Sequence, residues 1–197
     1  DKYADYLVVQ FHTRGIEHWK KEIVAALEKT YNPEGIYERS DMTARNIESL
    51  EKTKGVLSGH IPDIINIVEN GFKFLVDVKE GQKTGFFVDQ RENRSLLEHY
   101  SKGRSVLNMF CYTGGFSFYA MRGGAKLVHS VDSSAKAISL TNKNVELNFP
   151  GDPRHQAFAE DAFKYLERMG NNYDLIILDP PAFAKHKNVL RNALQGY

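Results

Sequence analysis

The chain is 197 residues long, with 42% hydrophobic and 26% charged side chains and a formal net charge of +1, proportions expected of a globular protein with one or two cores. Its single cysteine excludes an internal disulfide, no apolar run approaches the roughly 18 to 20 residues that cross a membrane, and no signal peptide is visible at Asp1, so a cytoplasmic setting is expected. The near-neutral charge gives no global pull toward nucleic acid, and any grip on RNA must come from local clusters or from parts of the protein outside this chain.

Residues 6–11 (YLVVQF) read as a strand. Residues 16–30 read as a helix, because Ile16, Trp19, Ile23, Ala26 and Leu27 recur at helical spacing. The stretch 38–59 is rich in charge and poor in apolar periodicity, and reads as connection or partly exposed surface. Residues 64–68 and 72–78 are β-rich runs around Glu69, Asn70 and Gly71, and an Asn-Gly pair in that position predicts a hairpin. Residues 1–84 are thus expected to form a small α+β domain.

From Gly85 the texture changes, and a second domain is expected over 85–197. Apolar strands at 106–110, 127–131, 156–159 and 173–178 alternate with amphipathic helices at 116–122, 134–147 and 162–169. Such alternation predicts an α/β fold, a parallel Rossmann-like sheet covered by helices. Ligands of open parallel sheets sit beyond the carboxyl ends of the strands, near the switch in strand order. Here the first strand runs into Tyr112, Thr113, Gly114 and Gly115, and the next three end at Asp132, Asp161 and Asp179. Glycines let a backbone approach a ligand, a helix starting near Gly115 offers free N–H groups, and an acidic residue after the second strand suits ribose hydroxyls. Glycine turns and helix-capping aspartates, such as Asp161 ahead of Ala162, account for any one of these alone. Their recurrence at four successive strand ends favours a ligand site.

The glycine turn lacks the G-x-G-x-x-G spacing of dinucleotide sites, which weakens a dehydrogenase reading. S-adenosylmethionine carries ribose and adenine without a pyrophosphate and does not require that spacing. The sharper feature is Asp179-Pro180-Pro181-Ala182-Phe183, directly after the last strand. There a carboxylate, two rigid prolines and an aromatic ring suit a planar substrate, and stacking on a base contributes roughly 1 to 3 kcal/mol.

At this level of detail the chain resembles the bacterial S-adenosylmethionine-dependent 23S ribosomal RNA methyltransferases that make 5-methylcytidine, the rRNA large subunit methyltransferase I family. The resemblance is carried by residues 36–41 (IYERSD), 83–94 (KTGFFVDQRENR), 107–116 (LNMFCYTGGF), 130–132 (SVD), 144–148 (NVELN), 178–183 (LDPPAF) and 195–197 (QGY). It implies a class I methyltransferase sheet, incomplete at its C-terminus, after a small α+β domain, with S-adenosylmethionine as cofactor and 23S rRNA as partner; it also admits a homodimer. Tyr112, Gly114 and Gly115 would line the cofactor's methionine end, Asp132 with Ser133 its ribose, and Asp161 with Ala162 its adenine, while Arg91 would approach its carboxylate. Asp179, Pro180 and Phe183 would position the base.

Methylating carbon 5 of cytosine calls for a nucleophile on carbon 6, commonly a cysteine thiolate. Cys111 lies just before the cofactor turn, where relatives usually carry serine, and reads as packing. The resemblance places the nucleophile on a later strand, beyond Tyr197. It also implies an N-terminal PUA domain that this chain does not contain, so the chain reads as a fragment, not expected to catalyse on its own. Lys185, His186, Lys187 and Arg191 follow the Asp-Pro-Pro turn and suit RNA phosphates, with Arg39, Arg45, Lys52 and Lys54 as a weaker second cluster. His12, His18, His60 and His155 show no metal-ligand spacing, and no metal is expected. Methylation of a guanine nitrogen or another nucleobase, and a non-catalytic RNA- or nucleotide-binding module, remain as alternatives.

Overall fold

The computed structural model describes residues 1–181. It divides into two compact units, Asp1–Asp89 and the chain from Gln90 onward.

The first unit contains β1 (Lys2–Tyr3), β2 (Tyr6–Val9), α1 (Arg14–His18), α2 (Lys20–Tyr31), β3 (Gly35–Ser40), α3 (Ala44–Ile47), β4 (Thr53–Gly59), β5 (Ile65–Glu69) and β6 (Phe72–Val76). Its main sheet has the order β1-β2-β3-β4; β2 and β3 are parallel and the outer pairs antiparallel. The single helix expected over 16–30 is two, broken at Trp19, whose ψ of 13° departs from the helical value. Beside the break Lys20 Nζ pairs with Glu17 at 2.6 Å and with Glu38 of β3 at 3.1 Å.

The charged stretch 38–59 is not merely a connection, although beyond Ser40 most of it is partly or fully exposed, as the reading of partly exposed surface expects. It holds the end of β3, all of α3 and β4, and every residue of β3 is buried. Its buried arginines have partners within the protein, because a buried charge without partners is costly. Arg39 donates to the carbonyls of Val78 (2.8 Å) and Gly81 (3.0 Å), and Arg45 to the carbonyls of Glu51 (2.7 Å) and Phe11 and to Glu17 (2.8 Å). The expected hairpin is present as β5 and β6, antiparallel, with Asn70 at φ +49° and Gly71 at φ +86°, the left-handed pair of a two-residue turn.

The second unit contains α4 (Arg91–Tyr100), β7 (Ser105–Met109), α5 (Gly115–Arg122), β8 (Leu127–Asp132), α6 (Ala135–Asn148), β9 (His155–Ala159), α7 (Ala162–Arg168) and β10 (Leu175–Leu178). Its four strands are all parallel, in the order β10-β7-β8-β9. This is the α/β architecture expected from the alternation of apolar strands and amphipathic helices. The chain moves from β7 outward to β8 and β9, then crosses back to place β10 on the other side of β7, which sets the topological switch between β7 and β10. Met109 pairs with Leu178 on one side and Val131 on the other, and Asp132 pairs with Ala159, so the four carboxyl ends line up. Leu107, Met109 and Val131 form a core with Ala162 and Tyr165 of α7, and burying each such side chain contributes about 1.5 to 3 kcal/mol. Helix α4 was not expected: its buried residues are Leu97 and an arginine, Arg94, so its apolar periodicity is faint.

Candidate functional site

The chain leaves β7 through a turn of unusual backbone geometry. Phe110, Tyr112 and Gly114 have φ of +53°, +49° and +80°, three left-handed residues within five. An aromatic residue held there costs of order 1 to 3 kcal/mol, and such strain persists only where surrounding contacts fix it. Those contacts are visible. The N–H of Tyr112 donates to Asp132 Oδ2 at 3.0 Å, and the N–H of Ser134 to Asp132 Oδ1 at 2.9 Å. The Cys111 N–H donates to the carbonyl of Val131 at 3.0 Å, and the Gly114 N–H to the carbonyl of Cys111 at 2.8 Å. From α6, Thr141 Oγ1 donates to the Tyr112 carbonyl (2.9 Å) and Asn144 Nδ2 to the Thr113 carbonyl (3.2 Å).

Gly114 is also the N-cap of α5, where no side chain caps the first amides. A Cβ at Gly114 would lie 2.6 Å from Thr141 Cγ2 and 3.2 Å from the Phe118 ring, so only glycine fits. The turn, the uncapped start of α5 and the carboxylate of Asp132 therefore form one hydrogen-bonded unit with backbone N–H groups and carboxylate lone pairs to offer.

On the neighbouring strand end, Asp161 caps α7, its Oδ1 accepting from the N–H groups of Phe163 and Lys164, each at 3.1 Å. The Glu160 N–H donates to the Asp132 carbonyl at 3.0 Å, tying the ends of β8 and β9 together. Ala162 is buried in the core beneath, and Ser133 is exposed beside Asp132. Asp179, exposed, and Pro180 directly follow β10, on the far side of β7. Arg91, the first residue of α4, is exposed and pairs with Glu92 at 3.1 Å; no described contact ties it to the turn. Phe183, Lys185, His186, Lys187 and Arg191 lie outside the described residues. In the other basic group Arg39 and Arg45 are buried and spend their guanidinium groups on internal carbonyls and, for Arg45, on Glu17, while Lys54 pairs with Glu80 at 2.6 Å.

Cys111 is 6% exposed. Burial, and then the charge of Asp132, push its thiol well above the usual range, so the reactive thiolate is suppressed. Among the described residues no group of three or more His, Cys, Asp or Glu side chains is arranged to hold a metal, and no helix is long and apolar enough to cross a membrane.

A buried polar chain runs through the sheet below the turn. Asn108 Nδ2 donates to Ser117 Oγ (2.9 Å), Ser117 Oγ pairs with Ser130 Oγ (2.7 Å), and Ser130 Oγ with His155 Nε2 (2.8 Å). The sequence assigns no role in the site to these residues or to Thr141 and Asn144, although Asn108, Ser130 and Asn144 fall within the segments that carry the resemblance. The signal available was small polar residues on faces otherwise buried: α6 buries Ala137, Ile138, Thr141, Asn144 and Val145 at helical spacing.

Residues 47–196 match the model of a family described as S-adenosylmethionine-dependent methyltransferase. The chain is 44% identical over its whole length to the ribosomal RNA large subunit methyltransferase I of Tolumonas auensis and 45% identical to that of Aeromonas hydrophila, and spans 51% of each. The crystal structure of SMU.776 complexed with SAH superposes with a TM-score of 0.79 at 34% identity, over 94% of this chain and 48% of that one.

Proposed function

Because the chain belongs to the S-adenosylmethionine-dependent methyltransferases, we propose that the protein of which it is part methylates carbon 5 of a cytidine in 23S ribosomal RNA. The observation that carries the substrate half is the identity, over the whole chain, with relatives named as large-subunit ribosomal RNA methyltransferases. The cofactor half rests on the fixed turn after β7 and the carboxylate of Asp132 that holds it.

Residues of the turn suit S-adenosylmethionine by shape and by donor set. Tyr112, Gly114 and Gly115 line its methionine end, where the absence of a side chain at Gly114 lets Thr141 and Phe118 pack closely beneath the turn. Asp132, with Ser133, accepts from the ribose hydroxyls; Asp161 and Ala162 face the adenine; Arg91 approaches the carboxylate. When bound, the cofactor supplies an electrophilic methyl group on a sulfonium. Asp179 and Pro180 flank the same row of strand ends across the topological switch, a suitable station for a base unstacked from its helix. With Phe183 they would hold the ring flat, and Asp179 would accept from its exocyclic amino group. Cys111 takes no part, since a buried thiol of raised pKa is a poor nucleophile.

Nucleoside mass spectrometry of 23S rRNA from a wild-type strain and a strain lacking the intact gene tests the substrate. One 5-methylcytidine is expected to disappear and to return with the gene. Unchanged 5-methylcytidine with loss of a methylated guanine would replace carbon by nitrogen methylation, and no change at all would point to a non-ribosomal substrate or a binding module. The cofactor half is tested by Asp132→Ala in the intact protein. S-adenosylhomocysteine affinity should fall at least about tenfold, the equivalent of one lost hydrogen bond to a charged group, and unaltered binding would overturn the placement.

A further inference from the structure

Helix α6 touches the turn at two of its three left-handed residues, Tyr112 and Gly114. Thr141 is fully buried and uses its whole side chain. Its Oγ1 donates to the carbonyl of left-handed Tyr112 at 2.9 Å, and its methyl group occupies the space that a Cβ on left-handed Gly114 would need, 2.6 Å from that position. One turn further along, Asn144 is equally buried and donates to the Thr113 carbonyl at 3.2 Å. Asn148 in turn donates to the Asn144 carbonyl at 2.7 Å. On the opposite side, Asp132 holds the Tyr112 N–H. The peptide groups on either side of Tyr112 are therefore gripped from two elements, the carboxyl end of β8 and the middle of α6.

We infer that Thr141 and Asn144 are positioning residues for S-adenosylmethionine, which fix the backbone of residues 112–114 in its cofactor-accepting conformation before the cofactor arrives. A left-handed Tyr112 is unfavourable on its own, and a turn free to relax would leave it; the competent conformation would then be only fractionally populated, and apparent affinity falls by that fraction. A hydrogen bond into the Tyr112 carbonyl and a methyl group against Gly114 oppose that relaxation together. Neither side chain needs to touch the cofactor. The inference rests on the proposed placement of the cofactor at this turn.

Three substitutions at two positions separate the contributions in the intact protein. Thr141→Val keeps the methyl and removes the hydrogen bond; Thr141→Ser keeps the hydrogen bond and removes the methyl; Asn144→Leu removes the second grip. S-adenosylhomocysteine affinity by calorimetry, and the KM for S-adenosylmethionine against kcat, are the readouts, with hydrogen exchange of the peptide covering 105–122 reporting the fold. Thr141→Val and Asn144→Leu are each expected to weaken S-adenosylhomocysteine binding about tenfold, one hydrogen bond's worth of preorganisation, and to raise KM with kcat changed less. Thr141→Ser should stay within about threefold. A merely structural role would change exchange in all three and leave the affinity of the folded protein alone. Asp132→Ala is measured alongside. If Asp132→Ala loses affinity and Thr141→Val does not, the positioning role is overturned while the placement stands; if Asp132→Ala also binds normally, the placement itself has failed. Should Thr141→Val not fold, Thr141→Ser and Asn144→Leu carry the same comparison.

Discussion

Gly114→Ala is the substitution whose cost the structure specifies most closely. Two separable terms contribute. An L-residue in the left-handed region costs about 1 to 2 kcal/mol, and Gly114 sits there at φ +80°. The added Cβ would also lie 2.6 Å from Thr141 Cγ2 and 3.2 and 3.3 Å from two atoms of the Phe118 ring, against an ordinary separation near 3.5 to 4 Å; overpacking of this kind costs about 1 to 3 kcal/mol. Together they predict a loss of about 2 to 5 kcal/mol. Gly151 provides the internal reference, since its φ is +69° but nothing lies within 4 Å of the Cβ it lacks, so Gly151→Ala should show the conformational term alone.

The assay is hydrogen exchange by mass spectrometry on the peptide covering 105–122 and on the one covering Gly151, in the intact protein, read as free energies of opening. Gly114→Ala should exceed Gly151→Ala by about 1 to 3 kcal/mol. Combining Gly114→Ala with Thr141→Ser deletes the atom nearest the new Cβ, so the double variant should be less destabilised than the sum of the singles by about 1 kcal/mol or more. If Gly114→Ala costs no more than Gly151→Ala, or if the two sites are additive, the packing argument for the turn is wrong.

Acid sensitivity follows from His155. Burial, with the nearby His129, lowers its pKa to about 4, from the ordinary 6.5. The folded state therefore binds a proton less readily than the unfolded chain. The stability this conserves is whole above pH 6.5 and is lost as the pH falls from 6.5 toward 4, to a limit of about 3 kcal/mol. His155→Asn should flatten the decline in urea midpoint across that window, and an unchanged slope would refute the assignment. Cys111→Ala should leave methyl transfer by the intact protein within about threefold, because a buried thiol of raised pKa neither attacks nor coordinates. Native Cys111 should likewise resist iodoacetamide in peptide mapping at pH 8; a hundredfold loss of transfer, or rapid labelling, would make it the nucleophile.

The two units differ in how openly their sequences display them. In the second, strands such as 105–109 are buried along their whole length and carry no charge, their polar residues being Ser105 and Asn108, so apolar runs and helical spacing alternate without interference. In the first, β3 is equally buried yet reads Gly-Ile-Tyr-Glu-Arg-Ser. Periodicity counts Glu38 and Arg39 as surface, whereas their partners, Lys20 and the carbonyls of Val78 and Gly81, are remote in sequence. Arg94 conceals α4 in the same way. The turn and its strand-end carboxylates could be located from spacing. The side chains that fix them could not, because Thr141 and Asn144 are ordinary helix residues until their carbonyl partners, some thirty residues earlier, are known.

That difference bears on how the strand-end aspartates are to be understood. Holding backbone and binding a ligand compete for a carboxylate only if its lone pairs run out, and an ionised carboxylate has about four acceptor sites. Asp132 accepts one bond on each oxygen, from the N–H groups of Tyr112 and Ser134, which fixes the plane of the group and leaves a lone pair on both oxygens. A carboxylate locked with two acceptors side by side matches a pair of adjacent hydroxyls. Asp161 is arranged otherwise: both backbone bonds fall on Oδ1, so Oδ2 remains as a single fixed acceptor, suited to one donor such as an amino group. Capping and binding are therefore successive uses of the same side chains. The backbone bonds remove the rotamer entropy that a ligand would otherwise have to overcome, and on the proposed placement their distribution over the two oxygens would suit Asp132 to a pair of hydroxyls and Asp161 to an amino group.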